Sequence, residues 1–185
     1  MSDFDKCFNR IIHLEFANKY DALHKNDGEN GLTYMGIYQS AHPTWIGWGI
    51  IKNVLQECNN DLRKASEKLY NMTSLYSAVG LFYDKEFYSK MRLHEINSQQ
   101  IVDELFCGAI NYGIKVAVKL AQRVVGVIDD GIIGQNTIKA LNNYDAKKFD
   151  IEFDKLEIKH YESLVVKKPY FKRFINGWKN RAVLV

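Results

Sequence analysis

The stretch Ser2-Asp-Phe-Asp-Lys-Cys-Phe-Asn-Arg-Ile-Ile-His-Leu-Glu-Phe-Ala-Asn18 decides how this chain is read. Phe4, Phe8, Ile11 and Ile12 recur at helical spacing and so share one face of an amphipathic helix. Glu15 is the next residue on that face, four after Ile11 and seven after Phe8. Ser2, with Asp5 three residues later, supplies a capping-box start. A carboxylate among apolar neighbours at a helix end is costly unless it is paired or keeps its proton. A proton kept near neutral pH is what a general acid needs. The plainer alternative is a glutamate that reaches water or pairs with a lysine at the helix end. After the helix, Asp27-Gly-Glu-Asn-Gly-Leu-Thr-Tyr-Met-Gly-Ile37 is a polar, glycine-rich turn region suited to setting polar groups beside that carboxyl.

The 185 residues suffice for one compact domain, and 46% hydrophobic with 25% charged residues is an ordinary globular balance. Eleven tyrosines, ten phenylalanines and three tryptophans can build a core and can also line a sugar-binding cleft. A net charge of +3 is too small to argue for nucleic acid, and no nucleic-acid partner is expected. Cys7, Cys58 and Cys107 have no paired spacing, which points to buried free thiols and a reducing compartment. The polar, acidic N-terminus lacks a signal-peptide apolar region, and no stretch reaches transmembrane length. The expectation is a monomer made in the cytoplasm, without stable membrane insertion. A substrate outside the cytoplasm would then require separate delivery.

Helical patterning runs through most of the chain. Residues 19–43 read as irregular structure with room for a short hairpin. Short helices follow over 48–92, with Asn59-Asn60-Asp61 as a boundary. Residues 98–112 form a strongly apolar helix that stops at Gly113. Residues 114–125 are amphipathic, with Lys115, Lys119, Gln122 and Arg123 on the polar side. Gly126–Gly134 is a turn segment, and 136–142 a short helix. Phe149, Phe153, Leu156, His160 and Leu164 stripe a long helix, and Pro169 suits the first turn of the last one. The fold class is mostly α. A lysozyme-like region over 1–97 and a helical region over 98–185 are expected to pack into one compact domain.

Four stretches, in this order, resemble glycoside hydrolase family 108, which comprises N-acetylmuramidases with a lysozyme-like fold from phages and bacteria. They are the helix bearing Glu15; Asn30-Gly-Leu-Thr-Tyr-Met-Gly-Ile37; Phe106-Cys-Gly-Ala-Ile-Asn-Tyr-Gly113; and Ala121–Thr137 together with Gly177-Trp-Lys-Asn-Arg181. The last pair is similar to that family's peptidoglycan-binding segment. Phe16-Ala17 stands where the family has Gly-Gly after its catalytic glutamate, and the loop over 16–29 is longer. The resemblance implies a lysozyme-like helical fold with a short hairpin near the active site, and bacterial peptidoglycan as partner. It also implies cleavage of the β-1,4 bond between N-acetylmuramic acid and N-acetylglucosamine, with Glu15 as general acid.

Glycoside hydrolysis needs a proton for the leaving oxygen, and a negative charge or activated water at the sugar. Asp27 precedes Thr33 with five residues between them, the final gap used by phage-type lysozymes. It either holds the attacking water or merely starts an Asp-Gly turn, and Glu29 competes with it. Thr33 is a candidate to hold water through its hydroxyl, against a plain turn threonine bonded to backbone. Tyr34 is a candidate for the sugar site or the core. Asn111 and Tyr112 are candidates to bind N-acetyl or hydroxyl groups, or simply to end a helix. Trp45 and Trp48 are further sugar-stacking candidates, whereas Trp178 sits in an apolar stripe. Five histidines show no metal spacing, Asp129-Asp130-Gly131 is no calcium loop, and neither cofactor nor metal is expected.

Overall fold

The computed structural model describes residues 2–16, 18–26 and 30–183, without the side chains of residues 13–15. Nine α-helices occur among them: α1 Phe4–Phe16, α2 Gly47–Glu57, α3 Leu62–Tyr70, α4 Thr73–Tyr83, α5 Gln99–Tyr112, α6 Ile114–Val124, α7 Gln135–Asn142, α8 Ala146–Lys167 and α9 Ile175–Ala182. Three two-residue strands, β1 Leu23–His24, β2 Thr33–Tyr34 and β3 Ile37–Tyr38, form an antiparallel sheet in that order. The fold is mostly α, as the periodicity implies, and the expected hairpin is part of this small sheet.

The chain divides into two compact units, residues 8–85 and residues 1–7 with 86–185. In the 8–85 unit, Phe8, Ile11 and Ile12 of α1 are buried with Ile51 and Val54 of α2, Ala65 and Leu69 of α3, and Leu75 and Val79 of α4. Burying the larger of these side chains contributes about 1.5–3 kcal/mol each. The α2–α3 boundary is sharp because Asn59 and Asn60 both take the left-handed conformation. Asp61 then caps α3, its carboxylate accepting from the Lys64 amide at 3.0 Å. Ser66 of α3 is fully buried. Its hydroxyl donates to the Lys19 carbonyl at 2.7 Å and accepts from the Leu23 amide at 3.0 Å, fastening the segment after α1 to the sheet.

In the other unit, the first turn of α1 is held by aromatic contacts. The Phe4 ring lies edge-on to Tyr88 at 5.3 Å and to Phe106 at 6.1 Å. The capping box expected from Ser2 is not made. The Ser2 hydroxyl instead donates to the Leu93 carbonyl at 2.7 Å, and Asp3 accepts from the Asp5 amide at 3.0 Å. Residues 101–109 of α5 are all buried. Gly113 ends that helix at φ 92, a value that a side chain would make strained, and α6 starts at once. Gln122 is a further correction: it is 1% exposed and belongs to the buried face of α6, not to its polar side. Pro169 opens a short 3-10 turn, Pro169–Arg173, and the last α-helix begins only at Ile175.

Candidate functional site

The buried stripe of α1 carries through Ile12, and the helix continues to Phe16, so Glu15 stands in its last turn. The side chain of Glu15 lies outside the described residues, as do Asp27 and Glu29.

Thr33 is described, and it is paired in the centre of the sheet with His24 on one side and Tyr38 on the other. It is 6% exposed, and its hydroxyl oxygen is buried with no hydrogen-bond partner. Tyr34 is a core residue at 1% exposure. Its hydroxyl donates to the Leu69 carbonyl at 3.2 Å, its ring stacks on Trp45, and burial raises its pKa. Between β2 and β3, Met35 and Gly36 both have positive φ, the geometry of a tight two-residue hairpin. The turn is anchored by Tyr83, whose hydroxyl donates to the Met35 carbonyl at 2.9 Å. A Cβ at Gly36 would stand 2.5 Å from the Tyr83 hydroxyl and 3.1 Å from the Phe16 ring. This glycine therefore lets the hairpin turn lie against the end of the helix that carries Glu15. Two sequence-separated candidates, Glu15 on α1 and Thr33 on β2, are thus placed on adjoining elements.

A cleft of about 410 Å³ opens beside the sheet, lined by Leu32, Gln39, Trp48, Lys52 and Gln56. Trp48 takes part in its wall, while its indole donates to the His42 carbonyl at 2.8 Å. Trp45 is bound into the protein, its indole donating to the Ala78 carbonyl at 3.3 Å.

Asn111 and Tyr112 belong to the other unit. Asn111 accepts from the Arg181 guanidinium at 2.9 Å. The Tyr112 ring packs on His160 and Tyr161, and burial raises its pKa well above the usual tyrosine value. Burial also lowers the pKa of His160. Trp178 packs on Tyr161, Phe171 and Phe174.

The segment Asp130-Gly-Ile-Ile-Gly-Gln-Asn-Thr137 is built around Gln122. Its side-chain amide donates to the Asp130 carboxylate at 2.8 Å, the Ile132 carbonyl at 3.0 Å and the Thr137 hydroxyl at 3.1 Å. Its oxygen accepts from the Gly131 amide at 2.8 Å. The Gln122 side-chain amide and the Ile132 amide, both donating to it, hold the Asp130 carboxyl below the usual carboxylate range. The loop surrounds an open cleft of about 590 Å³, with Ile128 at 84% and Ile132 at 67% exposure beside it. Gln122 escaped the sequence reading because its neighbours Lys119 and Arg123 suggest a polar face. The signal was present in Val118, four residues before it on the buried face.

Residues 116–183 match the family model described as "Predicted Peptidoglycan domain". The solved structure of SagA from Brucella abortus is similar over 97% of this chain and 93% of its own, with a TM-score of 0.59 and 20% identity. A likeness at that identity speaks to the fold. Among curated proteins none matches this chain. No helix among the described residues is long and apolar enough to cross a membrane.

Proposed function

We propose that this chain is a peptidoglycan hydrolase of the N-acetylmuramidase type, similar to glycoside hydrolase family 108, with Glu15 as general acid. One observation carries the reading: the buried stripe of α1 delivers Glu15 to the helix end against which the Met35–Gly36 turn lies. A carboxyl carried at the end of such an apolar helix keeps its proton more readily than one in water. Thr33, whose buried hydroxyl has no partner, supplies an oxygen for an attacking water, and Asp27 the companion carboxylate. The match over 116–183 supports peptidoglycan as the partner, and the cleft around Asp130–Thr137 is its contact surface in this reading. The protein acts on the wall in the periplasm or outside the cell.

A second reading is a protein that binds peptidoglycan without cleaving it. It is favoured by Phe16, which follows Glu15 and whose ring occupies the space beside Gly36. The two separate in one experiment. Purified full-length protein is incubated with sacculi, and soluble products are reduced and identified by mass. Muropeptides ending in reduced N-acetylmuramic acid are expected. Sedimentation of the protein with sacculi, without released product, would replace the hydrolase by the binding protein.

A further inference from the structure

Helices α5 and α8 bring three carboxylates together in the interior of the 1–7 and 86–185 unit. Glu104 comes from α5, and Asp154 and Glu157 from α8. One oxygen from each lies within 4.8 Å of the others. Glu104 is 2% and Glu157 3% exposed. Asp150, one turn before Asp154, adds a fourth carboxyl next to Glu104. Arg181 faces Glu157, and its guanidinium also serves Asn111.

The hydrogen bonding of this group is incomplete. Tyr161 donates to one oxygen of Glu157 at 2.9 Å, but Glu104 Oε1 and Asp154 Oδ1 are buried without a partner. A separate residue points to the same place. The Tyr112 hydroxyl is fully buried and unpartnered, and its charged neighbours are Glu157 and Glu104. It lies over Gly108, where a Cβ would stand 2.3 Å from it, so the absence of a side chain at 108 is what admits the hydroxyl. A buried tyrosine hydroxyl normally finds a partner, and leaving one unmade costs about 1–3 kcal/mol.

We infer that Glu104, Asp154 and Glu157 form a binding site for a hard divalent cation of the calcium class, with the Tyr112 hydroxyl turned toward it as a neutral oxygen. The donor set contains carboxylates and a phenol but no imidazole or thiolate, which selects a hard cation over zinc or copper. Two oxygens on opposite sides of a calcium ion stand about 4.6–5.2 Å apart, and the spacing here fits within that span. Carboxylates buried side by side repel one another, and a shared cation reverses the sign of that interaction. Because its ligands come from two helices, the cation would tie α5 to α8. The site stands apart from the lytic reading, and its readout is thermal and spectroscopic.

The test uses the full chain, stripped with chelator and dialysed. Calorimetric titration and thermal melts are run with calcium, magnesium and manganese chlorides, and terbium(III) reports proximity to tyrosine by sensitised emission. At a hundredfold excess of calcium over Kd, the melting temperature should rise by about 5–10 °C. The pair Asp154→Asn with Glu157→Gln should abolish both the shift and the terbium emission. Tyr112→Phe, which keeps the ring packing, should weaken binding and dim the emission, and it carries the test if the double variant does not fold. No heat and no melting shift with any of the three salts at 10-fold molar excess or at millimolar concentration (~1 mM, by the mass-action relation) would overturn the site. Unchanged binding in Tyr112→Phe together with the double variant would do the same, and preference for magnesium over calcium would overturn the calcium assignment.

Discussion

Helices α1 and α8 each carry a glutamate on an apolar stripe, and the two stripes end in different places. In α8 the stripe runs Phe149, Phe153, Glu157, Tyr161 in steps of four, with Glu157 in mid-helix. Its carboxyl is buried, bonded to Tyr161, and surrounded by the carboxyls of Glu104 and Asp154. In α1 the stripe runs Phe8, Ile11, Ile12, Glu15, and Glu15 stands in the last turn, where the chain leaves toward the sheet. The same local pattern therefore has two outcomes. A glutamate in the middle of a buried stripe must keep its proton or share its charge with neighbouring side chains or a bound ion. One at a helix end adjoins loop and hairpin, where a substrate can reach. Position along the stripe, and not its composition, separates a packing carboxyl from a candidate acid.

The largest expected effect tests that separation directly. Glu15→Gln should lower lytic turnover by about 10²–10⁴-fold, the usual contribution of a general acid, while the melting temperature holds. Glu157→Gln should leave turnover on sacculi within a small factor of wild type. Equal losses in the two variants would erase the distinction between the helices.

A second measurement addresses the α5–α8 carboxyls alone. Burial, with the nearby acids, pushes Glu104 up to about 10, Glu157 to about 7 and Asp154 to about 6. An acid whose folded pKa is raised stabilises the fold below its unfolded pKa, and that stability is lost as pH rises through the folded value. Chelator-treated protein should therefore melt higher at pH 5 than at pH 8.5, by at least about 3 °C. Glu157→Gln should flatten that slope. A rising melting temperature across the same interval would contradict it.

Thr33→Val preserves shape and removes a buried hydroxyl that has no partner. Stability should hold or rise by up to about 1 kcal/mol. Turnover should nevertheless fall if, as proposed, that oxygen holds the attacking water. Unchanged kcat in this variant would return Thr33 to a purely structural role. The smallest effect is expected at Asp145, which caps α8 by accepting from the Lys148 amide at 2.8 Å. Asp145→Ala should cost about 1 kcal/mol by equilibrium denaturation, with no change in lysis.

Much of the α5–α8 region was legible from the chain because local rules act alone there. Gly113 ends α5, and Gly126 and Gly131 mark the turn before α7. Pro169 misled, since its fixed φ suits a 3-10 turn as well as an α-helix start. Ser2 misled because a partner far along the chain, Leu93, took its hydroxyl. The acidic group escaped notice because the expected stripe Phe149, Phe153, Leu156, His160 and Leu164 passes Glu157 by, whereas the stripe that is buried runs through Phe153, Glu157 and Tyr161.

By itself the sequence determined the mostly α class, the helix boundaries at Gly113 and Asp61, and the apolar stripe that leads to Glu15. These follow from spacing, capping and backbone conformation, which act within a few residues. Only the tertiary structure decided that Gln122 is buried as the hub of the Asp130–Thr137 loop and that Tyr34 belongs to the core. It alone set Glu104, Asp154 and Glu157 within 4.8 Å of one another. Those facts depend on which surfaces of different helices meet, and a buried polar group is recognised only by the partners that packing brings to it.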